Sequence, residues 1–242
     1  MGYYDYDFGP YVSVAEKRER ALKAMKKLKS KGNIEPIIIE GREIAKTWWG
    51  QAWNLNLERY ADFEYRLERG RSYVRHNAVL DLKITTGKVN ALVQGSEASP
   101  YKIEITIKPL MKTLWQKIKK ECSGKIESLQ YLLEGQFPKE QVDIFFTKGK
   151  GLFPTPKEIN FKCSCPDIAS ICKHVAATLY GIGARLDHNP SLFFTLRNID
   201  MQELISKTVR EKTEKLLKKA EKKSSRVMEN IDAKKIFGIE ME

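Results

Sequence analysis

The chain places three cysteines and a histidine inside the twelve-residue run Cys163-Ser-Cys-Pro-Asp-Ile-Ala-Ser-Ile-Cys-Lys-His174, in the order C-x-C-x6-C-x-H. Alternate residues of an extended strand share a face, so Cys163 and Cys165 can reach toward one point, with Pro166 ending the strand behind them. Cys172 and His174 are also two apart, and on a regular helix that separation sends side chains to nearly opposite sides. The second pair must therefore straddle a helix start, with Cys172 in the loop or cap and His174 in the first turn. Val175, Ala176, Ala177, Leu179 and Tyr180 then continue the helix. A thiolate at a helix N-terminus is further stabilised by the backbone dipole. Thiolate and imidazole are the donors of a tetrahedral zinc ion, and four protein donors close its shell. The spacing thus predicts a structural Zn2+ site held by Cys163, Cys165, Cys172 and His174, with no position left for a catalytic water. The alternatives are a redox switch, or three buried free thiols beside a satisfied histidine. Pro166, Asp167 and Lys173 make the last a poor fit.

With four cysteines in 242 residues and three of them in this run, the pattern is that of a metal site rather than a disulfide framework. The opening MGYYDYDFGPY has neither a basic nor an apolar leader segment, and Tyr6 stands where a Gly2 myristoylation signal wants Ser or Thr. No apolar run approaches a membrane span. These features predict a cytoplasmic protein in which thiols stay reduced, with no membrane association. The net charge of +12 points to a polyanionic partner, and nucleic acid is the commonest.

Along the chain, residues 13–31 predict a basic amphipathic helix with Ser13 as N-cap and Glu16 completing a capping box. Residues 48–67 read as a second helix rich in aromatics. Its Trp48, Trp49 and Trp53 at helical spacing point to core rather than to a stacking platform. The period then changes. Residues 79–84, 89–93 and 101–107 alternate and are joined by short turns, which predicts an antiparallel meander. Leu80, Leu82 and Ile84 are expected to face its core, as are Ile103, Ile105 and Ile107. Lys102, Glu104 and Thr106 are expected to face out. Helices are expected over 110–121, 128–133 and 139–146. Cys122 reads as a buried thiol.

Gly149-Lys-Gly151 and Pro154-Thr-Pro156 suggest a boundary at 148–158. Beyond the finger helix, 173–186, Asn189-Pro190 starts a short helix, and residues 200–223 read as a long basic one. The fold class expected is α+β: helices with an antiparallel β-meander over 1–148, a small ββα zinc finger over 149–199, and a basic C-terminal helix over 200–242. The first region is expected to hold its own core.

The finger run, C-x-C followed by C-x-H opening a helix, resembles the SWIM-type zinc finger. Its context agrees: PTPKEINFKCSCPD, CKHVAATLYGIGARLD and NPSLFFTLRNID. So do YDYDFGPY, WWGQAW, RLERGRSYVR and the VQGS…SPY turn, which together cover most of residues 1–200. The chain resembles the bacterial and archaeal SWIM zinc finger proteins, whose members accompany Snf2-type helicases. The resemblance implies a finger that serves DNA binding or protein–protein contact. The lysine-rich segment after residue 200 lies outside it.

Within Glu68 to His76, arginines interleave with an aromatic. If the segment is extended, Arg71, Tyr73 and Arg75 share a face that can grip phosphate and stack a base. Arg69, Arg71, Tyr73 and Arg75 are therefore candidate nucleic-acid contacts, together with Lys173 between two of the metal ligands. Lys207 to Lys235 holds eleven Lys or Arg against five Asp or Glu, the charge of an electrostatic arm. There is no Walker A loop, dinucleotide fingerprint, nucleophile elbow or paired carboxylate set. The function expected is non-enzymatic, zinc-stabilised binding of nucleic acid, DNA first. The alternative is an adaptor that docks on a Snf2-type ATPase or helicase.

Overall fold

The computed structural model describes residues 13–59, 64–123, 129–136, 139–167, 169, 171–201, 203 and 214–218. In chain order these form α1 (Val14–Lys29), α2 (Trp48–Glu58), α3 (Glu64–Arg75), β1 (Val79–Thr85), β2 (Lys88–Val93) and β3 (Tyr101–Ile107). There follow α4 (Lys112–Cys122), α5 (Leu129–Glu134), α6 (Lys139–Phe146), β4 (Ile159–Cys163), α7 (Lys173–His188) and α8 (Ser191–Arg197). The class is α+β, as the alternation of periods predicts.

The strands make one antiparallel sheet in the order β1-β2-β3-β4. The meander is the expected one, and β4 is an addition to it. Ile159 to Cys163 pair with Ile107 to Ile103 of β3. The segment expected as a ββα finger thus supplies one strand, and that strand lies in the same sheet as the meander. Its hydrophobic residues join a core shared with the residues before 148: Ile159, Val175, Leu179 and Phe193 pack in one cluster with Trp49, Val89 and Ile105.

α7 is the centre of that cluster. Residues 174 to 184 and Leu186 are all buried. A helix apolar all round needs cover on every side, and α2, α3 and the inner face of the sheet supply it. The approach of α3 is close enough to require glycine. A Cβ at Gly70 would collide with the Cβ of Ala176 and lie 2.7 Å from its carbonyl carbon.

Ile103, Ile105 and Ile107 face this core as expected, and Leu82 does too. Leu80 does not. The register slips between Val79 and Asp81, and this bulge turns Leu80 to the opposite face of the sheet. There it packs with Ala21 and Met25 of α1. The bulge therefore gives α1 its seat, on the side of the sheet away from α7. Ser13 caps α1 by accepting from the Glu16 N–H at 3.2 Å.

Two further expectations are corrected. Residues 48–67 are not one described helix: α2 ends at Glu58, and α3 starts at Glu64 and runs to Arg75, so the extended geometry on which a shared face of Arg71, Tyr73 and Arg75 depended is not met. Trp49 and Trp53 are fully buried, and their indole N–H groups donate to the carbonyls of Leu132 and Leu179, each at 2.9 Å, so this pair is core. Cys122 is buried as expected. The N-terminal motif YYDYDFGPY lies outside the described residues. So does most of the C-terminal basic segment, of which 214–218 are helical and exposed.

Candidate metal centre

β4 carries the chain to the site. Cys163 is its last residue, opposite Ile103. There the sheet lets go in a controlled way. The Ser164 N–H donates to the Lys102 carbonyl at 3.0 Å, and the Lys102 N–H donates to Ser164 Oγ at 2.9 Å. This clamp sits between the two thiols of the C-x-C pair and fixes the bend that brings Cys165 round. Past Pro166, Asp167 accepts from the Ala169 N–H at 3.1 Å and pairs with Arg66 of α3, which ties the loop to the body of the protein.

Cys172 is the N-cap of α7, with φ −84° and ψ 169°, and its sulfur accepts from the Val175 N–H at 3.5 Å. His174 lies in the first turn, 3% exposed. The straddling of a helix start that the spacing demanded is what the backbone does. Nδ1 of His174 is 3.9 Å from Cys163 Sγ and 3.8 Å from Cys172 Sγ. The ligating atoms of Cys163, Cys165, Cys172 and His174 all lie within 4.8 Å of one another. Bonds of ~2.3 Å to sulfur and ~2.0 Å to nitrogen in a tetrahedron give ligand edges of roughly 3.6–3.8 Å. The donor set and its spacing therefore fit a metal ion, which these four residues can hold.

The three thiols differ in how readily they ionise. Cys172 is pulled down to about 3, first by the hydrogen bond from the Cys163 thiol, against its own burial, and then by His174 and the Val175 N–H. Cys163 is held above the ordinary thiol range, chiefly by that bond to Cys172 and then by burial. Burial also raises Cys165. A metal ion bound here would draw the protons off Cys163 and Cys165 as well, because thiols ligate as thiolates.

Two tyrosines wall the imidazole. Tyr101 lies 4.3 Å away between ring centroids at a tilt of 33°, and Tyr73 meets it edge-on at 5.5 Å. A Cβ at Gly95 would lie 2.8 Å from His174 Nε2 and would strike the Tyr101 ring, so only glycine fits there. Nε2 itself is buried and has no hydrogen-bond partner among the described residues.

Of the candidate nucleic-acid residues, Tyr73 and Lys173 lie beside the metal site, and the five do not share one face. On a helix Arg71 and Arg75 share a side and Tyr73 turns away from them. Arg71 donates to Glu58 at 2.8 Å and to the Tyr180 hydroxyl at 3.2 Å. Arg75 donates to the Arg42 carbonyl at 3.0 Å. Tyr73 packs on His174, with the Lys173 ammonium 5.6 Å from its ring centroid. Arg69 is exposed.

The partners that sequence reasoning missed are Tyr101, Gly95, Ser164 and the Arg66–Asp167 tie. The VQGS…SPY turn held two of them, but nothing in the spacing linked it to residues seventy positions later. The densest described cationic surface is elsewhere. α1 carries seven Lys or Arg against Glu16 and Glu19, and every one of those cations is exposed.

No family model matches the chain, and no solved structure matches it. A protein of Mycobacterium tuberculosis described as uncharacterized protein Rv2102 is 38% identical to it over 164 residues, which is 67% of this chain and 59% of that protein. The chain thus spans less than two thirds of that relative's length.

Proposed function

We propose that this chain is a non-enzymatic zinc-binding protein of the SWIM type that holds nucleic acid, DNA first, in the cytoplasm. The zinc reading rests on the donor set. Three thiols and an imidazole with their ligating atoms all within 4.8 Å of one another suit a borderline-soft ion without ligand-field preference, and four protein donors leave no open position for chemistry. No helix among the described residues is long and apolar enough to cross a membrane.

One observation carries the nucleic-acid reading: the lie of α1. It buries Ala21 and Met25 against Leu80 and exposes its cations along the rest of its surface. Beside it, the outer face of the sheet turns out Lys83, Lys88, Lys102 and Lys162 against Asp81 and Glu104. Only Glu16 and Glu19 offset the helix, through pairs with Arg20 and Lys23. Exposed pairs of this kind contribute little to stability. A one-signed surface of this density attracts phosphate additively and is sequence-tolerant.

The test is the salt dependence of binding. Affinity for a labelled DNA fragment should fall steeply with ionic strength. Lys23→Ala with Lys27→Ala should flatten the slope of log K against log salt by about 1.8 for B-DNA, roughly 0.9 for each lost phosphate contact. An unchanged slope removes α1 from the interface. Weak salt dependence in the parent protein, with tight binding to a Snf2-type ATPase, would instead favour the adaptor reading.

A further inference from the structure

An imidazole can offer a metal either of its two nitrogens, and what surrounds the ring decides which. At His174 the two lie in different places. Nδ1 faces sulfur, 3.8 Å from Cys172 and 3.9 Å from Cys163. Nε2 lies against protein instead. It is buried, and no described residue offers it a hydrogen bond.

The reach of the side chain agrees. Nδ1 is bonded to Cγ, whereas Nε2 lies one atom further out along the ring. Cys172 caps α7 and turns its sulfur back to the Val175 N–H, so an ion held with Cys172 lies close to the helix start. A ligand from the first turn meets it there with the nitrogen nearer its own backbone.

Three groups hold the ring in this presentation. Tyr101 stacks on it and Tyr73 meets it edge-on. The third is Gly95, in the turn between β2 and β3. A Cβ there would lie 2.8 Å from Nε2 and would collide with Cε2 of Tyr101. Packed atoms do not approach so closely, so a side chain at this position drives the imidazole and Tyr101 from their places.

We infer that the metal ion is taken by Nδ1 of His174, and that Gly95 is the positioning residue that presents this nitrogen to it. The neutral ring then keeps its proton on Nε2, on the side closed by Gly95. This rests on the metal reading above and adds the ligating atom and a positioning residue from the turn before β3.

The experiment uses the full-length chain, labelled with 15N and loaded with 113Cd in place of zinc. Long-range 1H–15N spectra separate the ring nitrogens, because Nε2 couples strongly to both carbon-bound ring protons and Nδ1 strongly to one alone. His76→Gln with His188→Gln leaves His174 as the single ring observed. Splitting by 113Cd should fall on Nδ1, with Nε2 protonated. Splitting on Nε2 overturns the inference and keeps the metal reading. Metal bound without splitting of either nitrogen, or no metal bound, overturns the Cys3His reading and the inference with it.

Gly95→Ala should weaken zinc binding about tenfold in competition with a chelator, as expected of a group behind a ligand. It should also move the Nδ1 resonance. Made on His174→Cys, where a thiol replaces the ring, the same change should alter affinity by less than about threefold. A merely structural glycine would cost the same in both backgrounds, so equal losses overturn the positioning role. An unmoved Nδ1 resonance in folded Gly95→Ala overturns it independently. If Gly95→Ala fails to fold and the double variant folds, the collision is with the imidazole, as inferred. Failure of both marks Gly95 as a residue of the fold alone and overturns the role.

Discussion

His174 is placed both where it could hold a metal ion and where it fills the core. Its Nδ1 faces two sulfurs, while its ring is stacked on Tyr101 and met by Tyr73. His174→Ala therefore removes a ligand and opens a void between two aromatic rings. Cys165→Ser removes a ligand with little change of volume. Elemental analysis of the parent should give one zinc per chain; both variants should lose it, and His174→Ala should be the less stable of the two. Acid should release the ion from the parent as well, because its ligands bind only when deprotonated. Stoichiometric zinc in both purified variants would falsify the ligand set.

Arg197 and Glu158 make a second residue-scale case. Arg197 is 1% exposed, pairs with Glu158 at 2.8 Å and donates to the Lys108 carbonyl at 2.8 Å. Burial alone would raise the Glu158 carboxyl, but the Thr155 N–H and Arg197 outweigh it and hold it below its ordinary value. A carboxylate depressed in the folded state adds stability above its unfolded pKa, and that stability is lost as pH falls through the folded one. Glu158→Gln leaves a buried guanidinium without its counter-charge, which costs about 3 kcal/mol at pH 7. In urea titrations the gap between variant and parent should narrow once the pH drops below the usual carboxylate range. A gap that stays constant to pH 3 would mean that the pair contributes nothing through charge.

Among the elements, the contact between α3 and α7 depends on one missing side chain. Gly70→Ala forces its Cβ into Ala176, whose backbone is fixed in the central helix. Overpacking of this kind costs about 1–3 kcal/mol, although alanine is the better helix former by about 1 kcal/mol. The expected outcome is a net loss of stability in urea, with the metal retained. A gain would show that the helices can move apart. α1 differs from α3 because it rests on a small cluster, with Ala21 and Met25 buried and Ala24 and Leu28 half-buried beside them. Replacing exposed lysines on α1 should change DNA binding and leave the urea midpoint unmoved. Arg71→Ala should lower stability by about 1 kcal/mol, because its hydrogen bonds go to Glu58 and Tyr180.

Over the whole molecule, the metal site is joined to the fold through the sheet. β4 is hydrogen-bonded to β3, and α7 fills the core on which α2, α3 and the inner sheet face depend. Withdrawing zinc with a chelator should therefore loosen more than the segment 159–188. Hydrogen exchange should rise in β3 and α3 along with β4 and α7, while α1, seated in its own small cluster on the far face, should change less. Exchange confined to 159–188 would show that the residues before 148 hold together unaided.

The clustering of Cys163, Cys165, Cys172 and His174, the helix that begins between Cys172 and His174, the meander and the α+β class were all legible in the sequence. Each depends on a short-range period or spacing, and local geometry suffices to state it. The conformation of the arginine segment was left open because interleaved charge and aromatic residues have no distinctive period. Only packing against α7 makes it a helix. Leu80 was assigned to the wrong face because a bulge breaks a period of two without any mark in composition. The seating of β4 on β3, the tyrosine walls of His174 and the approach of Gly95 to its ring all pair residues tens of positions apart. No local rule reaches that far, and the tertiary structure alone decides which distant groups share a small volume.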